Sequence, residues 1–156
     1  SMSTNPLAAL PRMGFCPQTD CLWDEMTPID HLDLHCALAG VPAAEAVDCA
    51  HRSLRLLRMQ SHATKMTKAL SGGSKRKLCA AISMALKPYI LYMDEPSTGV
   101  DVLTRRHLWR AIRAACEESA VVFTTQSMEE ADALSTRVAI LVKGSLVALG
   151  SAQHLK

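Results

Sequence analysis

Aromatic residues are scarce in this chain: two Trp, two Tyr and two Phe among 156 residues, or 4%. Proteins that track single-stranded nucleic acid stack successive bases on aromatic rings, and so few rings argue against such a platform. An excess of one charge is missing too, with 17 Lys and Arg against 15 Asp and Glu for a formal net charge of +2. That argues against a strongly basic nucleic-acid module, and an apolar content of 49% argues against intrinsic disorder. No nucleic-acid partner is expected. Long apolar runs are absent as well: stretches such as Val138-Ala139-Ile140-Leu141-Val142 fall far short of the roughly 20 residues that cross a bilayer. The start shows no charged segment leading into an apolar one, so secretion is not expected, and Ser1-Met2 reads as a cloning remnant.

The six cysteines follow no regular spacing, as buried reduced thiols of a cytosolic domain would. Cys16-x4-Cys21 followed by His31-x3-His35 crudely imitates a zinc finger. Its first spacing is at the limit and the gap between Cys21 and His31 is short, and a chain of this length needs no zinc to fold, so no metal is expected there.

Alternating strand and helix signals run along the chain. Residues 12–18 read as a short strand turning at Pro17. Thr27-Pro28 starts a helix that stops near Gly40, and a second helix follows from Pro42 to about Arg58, with Val47, Leu54 and Leu57 at core spacing. After a polar loop, Leu78, Ala81, Ile82, Ala85 and Leu86 repeat on one face of a helix that begins behind Gly72-Gly73. Tyr89 to Met93 reads as a buried strand ending in Asp94-Glu95. Asp101 caps a helix to about Glu118, whose stripe is Leu108, Ile112, Ala115 and Cys116, and Ala120 to Thr125 reads as another buried strand. Ser127-Met128-Glu129-Glu130 reads as a capping box, Lys143-Gly144 as a hairpin turn, and Ser151 as the start of a short helix. This is the rhythm of an α/β fold with a mostly parallel sheet.

Two short segments carry chemistry. Ser71-Gly72-Gly73 at a helix start exposes backbone N–H groups at the positive end of the helix dipole, where an anion binds, although a plain turn explains it equally well. Asp94-Glu95 at a strand's end suits a Mg²⁺-associated water on the first acid and a polarised attacking water on the second, or simply a solvated turn. The Lys75-Arg76-Lys77 run reads as a solvated helix face, and Trp23 and Trp109 as packing residues.

Leu70-Ser71-Gly72-Gly73-Ser74-Lys75-Arg76-Lys77 and Ile90-Leu91-Tyr92-Met93-Asp94-Glu95-Pro96-Ser97-Thr98-Gly99-Val100-Asp101 together resemble the signature, Walker B and D-loop of ATP-binding cassette (ABC) ATPases. Cys16-Pro17-Gln18 resembles the family's Q-loop, and Thr124-Thr125-Gln126 with Ser127 to Asp132 its switch segment. Gly14-Phe15-Cys16-Pro17-Gln18, Lys75-Arg76-Lys77 and Ser127-Met128-Glu129-Glu130-Ala131 are similar to subfamily A, the eukaryotic lipid-exporter branch. The resemblance covers residues 12–156. It implies a partial P-loop NTPase fold, with a helical part at about 22–87 and an α/β core part at about 88–156, after an irregular lead-in at 1–11.

The resemblance also implies roles. Gln18 would approach Mg²⁺ and the attacking water and report nucleotide state to transmembrane domains. Ser71, Gly72, Gly73 and Ser74 would face the γ-phosphate of an ATP held by a second nucleotide-binding domain. Asp94 would serve Mg²⁺, Glu95 the water, Gln126 the switch position, and Asp101 the contact between domains. The implied place is the cytosolic face of a membrane, as part of an exporter of a lipid or amphiphile. If exposed, Trp23 would favour docking against the transmembrane partner.

Three departures qualify this. None of the seven glycines precedes a lysine, so no P-loop is present, and the chain reads as a fragment that lacks the P-loop strand, leaves a sheet edge exposed and has no ATPase of its own. Gln126 stands where a histidine is expected and cannot carry a proton, so slow or absent turnover is expected even in the intact protein. Ser74 replaces a common glutamine and disturbs little. Two alternatives stay open: a non-catalytic module lending its signature surface to a partner cassette, and a bacterial-type drug-export or cytochrome-maturation cassette.

Overall fold

In a computed structural model, residues 12–155 are described; the 1–11 lead-in expected from the sequence lies outside them. Strands β1 (Met13–Cys16), β2 (Ile90–Asp94) and β3 (Ala120–Thr124) form a parallel sheet in the order β1-β2-β3, with Phe15, Tyr92 and Val122 in one register row. Between β1 and β2 the chain builds a helical layer: α1 (Pro28–Leu38), α2 (Ala43–Leu56) and α3 (Gly72–Met84). Helix α4 (Val102–Ala115) carries the crossover from β2 to β3.

Local chemistry explains the boundaries. Thr27 caps α1 in a complete capping box: its side chain accepts from the Asp30 N–H, and the Asp30 carboxylate accepts from the Thr27 N–H. The helix ends in a Schellman motif, with Gly40 at φ +75° and the Val41 N–H bonded to the Cys36 carbonyl. Ser71 caps α3, and Asp101 caps α4 by accepting from the Leu103 and Thr104 N–H groups at 2.9 Å each.

Leu32, Leu54, Leu57, Leu78, Leu91, Leu108 and Ile112 are fully buried, each worth about 1.5–3 kcal/mol of apolar transfer. Period-2 alternation splits the sheet. Cys16, Leu91 and Met93 are buried, whereas Phe15, Tyr92 and Val122 are exposed. Of the two strands read from sequence as buried, β2 buries only Leu91 and Met93, and no residue of β3 is buried, so the uncovered apolar surface includes a sheet face and not only an edge.

Two further expectations are corrected. Val47 is exposed, because Ala46, Cys49 and Ala50 take the buried places in the first turns of α2. Cys116 is exposed as the C-cap past the last turn of α4, and Cys21 is exposed too, while the other four free thiols are buried.

The chain divides into two compact units after Thr124. In the second, α5 (Met128–Leu134) is capped by Ser127, which accepts from the Glu130 N–H, while the buried Glu130 carboxylate accepts from the Thr125 hydroxyl at 2.6 Å. Strands β4 (Val138–Val142) and β5 (Ser145–Gly150) pair antiparallel around Lys143 (φ +49°) and Gly144 (φ +79°), the two left-handed residues of a tight hairpin. Residues 151–154 form a turn, not the short helix expected from Ser151.

Candidate functional site

The site begins where the parallel strands end. Register aligns Asp94 with Thr124, so the last side chains of β2 and β3 lie side by side. The Thr124 hydroxyl donates to Asp94 Oδ1 and accepts from the Glu95 N–H, the latter at 3.0 Å. Glu95 sits at φ +44°, a left-handed conformation that costs a non-glycine residue on the order of 1 kcal/mol. This kink turns the chain out of the strand, and the Glu95 carboxylate accepts from the Thr98 hydroxyl at 2.9 Å.

Arg76, on the second turn of α3, connects this pair of acids to the turn after β1. It is only 4% exposed. Its Nε donates to the Pro96 carbonyl at 2.9 Å, and its Nη2 to the carbonyls of Asp94 at 2.8 Å and Glu95 at 3.2 Å. Its Nη1 donates to the carbonyls of Pro17 and Gln18. The structure thus brings Gln18, Asp94 and Glu95 around one guanidinium. Lys75-Arg76-Lys77 is not the solvated face read from sequence. Arg76 and Lys77 are buried, burial pulls the Lys77 ammonium's pKa down against the opposing effect of Asp101, and Lys75 pairs with Asp24 at 3.0 Å.

A second cluster gathers at the starts of α3 and α4. Gly72 is exposed and a Cβ built on it meets nothing within 4 Å, so its backbone is open to approach. Gly73 has a different role: a Cβ there would meet Thr104 Oγ1 at 3.2 Å and Asp101 Oδ2 at 3.5 Å, which fits its absence to the packing of α3 on α4. Ser74 is buried, and its Oγ accepts from the Ser71 hydroxyl at 3.1 Å. Asp101 also accepts from the Thr104 hydroxyl at 2.7 Å, and these bonds hold its carboxyl below the ordinary carboxylate pKa. Gln126 belongs to the second unit, just before the N-cap Ser127 of α5.

Sequence reasoning missed Arg76 and Thr124 as site residues. Thr124 could have been found by aligning the two strands in parallel at their carboxyl ends. Arg76 carries no such signal, because a basic run near a helix start looks solvated until tertiary contacts are known.

The oxygen donors of Asp94, Glu95 and Gln18 suit a hard divalent cation such as Mg²⁺. Among the described residues no group of three or more His, Cys, Asp and Glu could hold a metal by itself, so phosphate or water oxygens would complete such a site. The His31 of the finger-like spacing has both ring nitrogens engaged by backbone: Nε2 accepts from the Trp23 N–H and Nδ1 bonds to the Thr27 carbonyl, each at 2.9 Å.

Comparison with known proteins bears on the family and the fold. A family model described as ABC transporter matches residues 6–98. The chain is 46% identical over 146 residues to the rat phospholipid-transporting ATPase ABCA3, covering 93% of this chain and 9% of that protein. It is 43% identical over 157 residues to rat ATP-binding cassette sub-family A member 7, covering 100% and 7%. With the human cholesterol transporter ABCA5 it shares 43% over 146 residues, 92% and 9%. The chain therefore spans less than a tenth of the length of these relatives. A solved structure of the ATP binding subunit of an ABC transporter matches the fold with a TM-score of 0.84 at 22% identity, over 99% of this chain and 65% of that one. Since the family model spans well over half of its residues, the chain belongs to the ABC transporter family.

Proposed function

We propose that this chain is part of the ATP-binding cassette of a membrane transporter, in which ATP binding closes two such domains and hydrolysis reopens them to drive export of a lipid or other amphiphile. The observation that carries the reading is the gathering of Gln18, Asp94 and Glu95 around Arg76 where β2 ends. Open α/β sheets bind ligands beyond the carboxyl ends of their strands. Its relatives include a phospholipid-transporting ATPase and a cholesterol transporter, which supports an amphiphilic cargo.

In this reading Asp94, fixed by Thr124, and Gln18 would hold Mg²⁺, and Glu95, fixed by Thr98, would orient the attacking water. Bound Mg²⁺ would neutralise charge on the phosphates. The open backbone at Gly72, beside Ser71, would meet the γ-phosphate of an ATP held by a second cassette, with Gly73 and Ser74 behind it packing the helix start and Asp101 bordering that contact. The exposed Trp23, stacked on His31 with ring centroids 5.8 Å apart, supports a docking contact with transmembrane domains. No helix among the described residues is long and apolar enough to cross a membrane, so the membrane place, on the cytosolic face, would come from those domains. The helical part at 22–87 would carry the signature and the core part at 88–156 the acids.

No glycine of the chain precedes a lysine, so the phosphate nest of a P-loop must be supplied by other residues, and the purified chain is expected to show no ATPase. In the full-length protein, Glu95→Gln should abolish Mg²⁺-dependent hydrolysis. Robust hydrolysis by the purified chain, lost with Glu95→Gln, would overturn the expected dependence on residues outside it. Gln126 favours a second reading, a non-catalytic module that lends its signature surface to a competent partner. Binding of the chain to an intact cassette only when ATP is present, with no turnover at its own acids, would select that reading.

A further inference from the structure

Arginine carries five N–H donors in a rigid planar fork and no acceptor. At Arg76 all five find backbone carbonyls: Pro96 on Nε, Pro17 and Gln18 on Nη1, Asp94 and Glu95 on Nη2. The five acceptors come from two segments far apart in sequence, the turn after β1 and the kink after β2. Asp20 supplies the counter-charge, with Oδ1 at 3.8 Å from Nη1. Burying a guanidinium is costly unless it is fully bonded, so this saturation is what makes the position tenable.

We propose that Arg76 is a positioning residue that ties the backbone of Gln18 to that of Asp94-Glu95-Pro96, so that one guanidinium sets the spacing between the glutamine and the acid pair. The inference rests on the cassette reading for its functional meaning, though not for its geometry. Carbonyl contacts leave the Asp94 side chain to Thr124, the Glu95 side chain to Thr98 and the Gln18 side chain outside the tie; the guanidinium fixes where their backbones stand. Because Arg76 lies one helical turn beyond Gly72, a shift at the start of α3 is transmitted to both segments together. Lysine cannot replace it: an ammonium has three donors on a point charge and cannot span five carbonyls.

Amide hydrogen exchange on this chain tests the tie directly. In Arg76→Lys, exchange at the amides of Gln18 to Asp20 and of Glu95 to Thr98 is expected to speed up together, by about tenfold or more, while amides around Leu91 and Leu108 keep their rates. Arg76→Gln, which removes the buried charge with three of the five donors, is the variant to read if the lysine variant loses protection at Leu91. Unchanged exchange at Gln18, or acceleration in only one of the two segments, would overturn the proposal.

In the full-length protein, Arg76→Lys should raise the Mg²⁺ needed for half-maximal ATPase by about tenfold while KM for ATP stays within about twofold, and should add nothing once Gln18→Ala is present. Strictly additive losses in that double variant, or a change in KM alone, would count against Arg76 acting through Gln18. If Glu95→Gln left turnover intact, the cassette reading would fall, while the exchange rates would still decide whether Arg76 joins the two segments.

Discussion

Thr124 braces Asp94 from the neighbouring strand: its hydroxyl donates to the Asp94 carboxylate while accepting from the N–H of the next residue, Glu95. A single hydroxyl at the end of β3 therefore supports both acids, one through its side chain and one through its strained backbone. Thr124→Val keeps the shape of the side chain and removes both bonds. We expect a loss of about 1 kcal/mol in urea unfolding of the chain, because the acids are only partly buried and water replaces some of what is lost. Thr124→Ser should recover most of it. Equal stability of the valine and wild-type chains would show that the bridge contributes nothing.

Gly14 is a site where a methyl group cannot be accommodated. A Cβ there would lie 2.3 Å from the backbone oxygen of Ser83 on α3 and 2.9 Å from both Leu91 and Pro88. The close approach of β1 to α3 depends on that missing side chain, and a backbone oxygen cannot swing aside as a side-chain tip can. Gly14→Ala should cost about 3 kcal/mol or more, read as a lower midpoint in denaturant. Gly72→Ala, with open space around its Cβ, should leave the midpoint unchanged or raise it slightly. A midpoint for Gly14→Ala within error of wild type would refute the packing argument.

Much of the fold could be read from the sequence because its signals are local. Thr27-Pro28, Ser71 and Asp101 mark helix starts by their own capping chemistry, and Lys143-Gly144 marks a hairpin by its left-handed backbone. Burial was less legible. Tyr92 and Val122 sit in apolar runs that look like core, yet they face outward, since an apolar run does not state how many of its faces are covered. Gln18, Asp94 and Glu95 stand out in the sequence as motif residues, whereas Arg76 reads there as a surface charge. Its five acceptors are main-chain oxygens, which no residue type announces.

The capping box of α1 makes part of the stability pH-dependent. The Thr27 hydroxyl and N–H both donate to Asp30, at 2.6 and 2.9 Å, and hold its pKa below the ordinary 3.8. A carboxyl depressed in the folded state stabilises the fold at pH above its unfolded value and loses that contribution as pH falls through the folded one. Asp30→Asn should therefore be less stable than wild type at pH 7, by about 0.5 kcal/mol for an exposed cap. The gap should narrow as the pH falls below about 3.8. Urea midpoints of the two chains measured from pH 7 to pH 2 check this; a gap that persisted at pH 2 would assign the difference to something other than the carboxylate.

Gln126 offers the sharpest test of chemistry, because it differs from the expected histidine in one property. Its amide donates and accepts hydrogen bonds as an imidazole can, but it holds no proton that it could pass on and no positive charge. If the switch position needs only a hydrogen-bond donor, Gln126→His in the full-length protein should leave ATPase rate and pH profile as they were. If it needs a titrating group, the rate should rise by about 10² or more, the lower end of what a positioned acid or base supplies. We expect the second outcome, with a new inflection near pH 6.5 that the glutamine protein lacks, since that is where an unperturbed imidazole changes charge. A faster variant without that inflection would locate the gain in packing or hydrogen bonding and leave proton transfer out of the account.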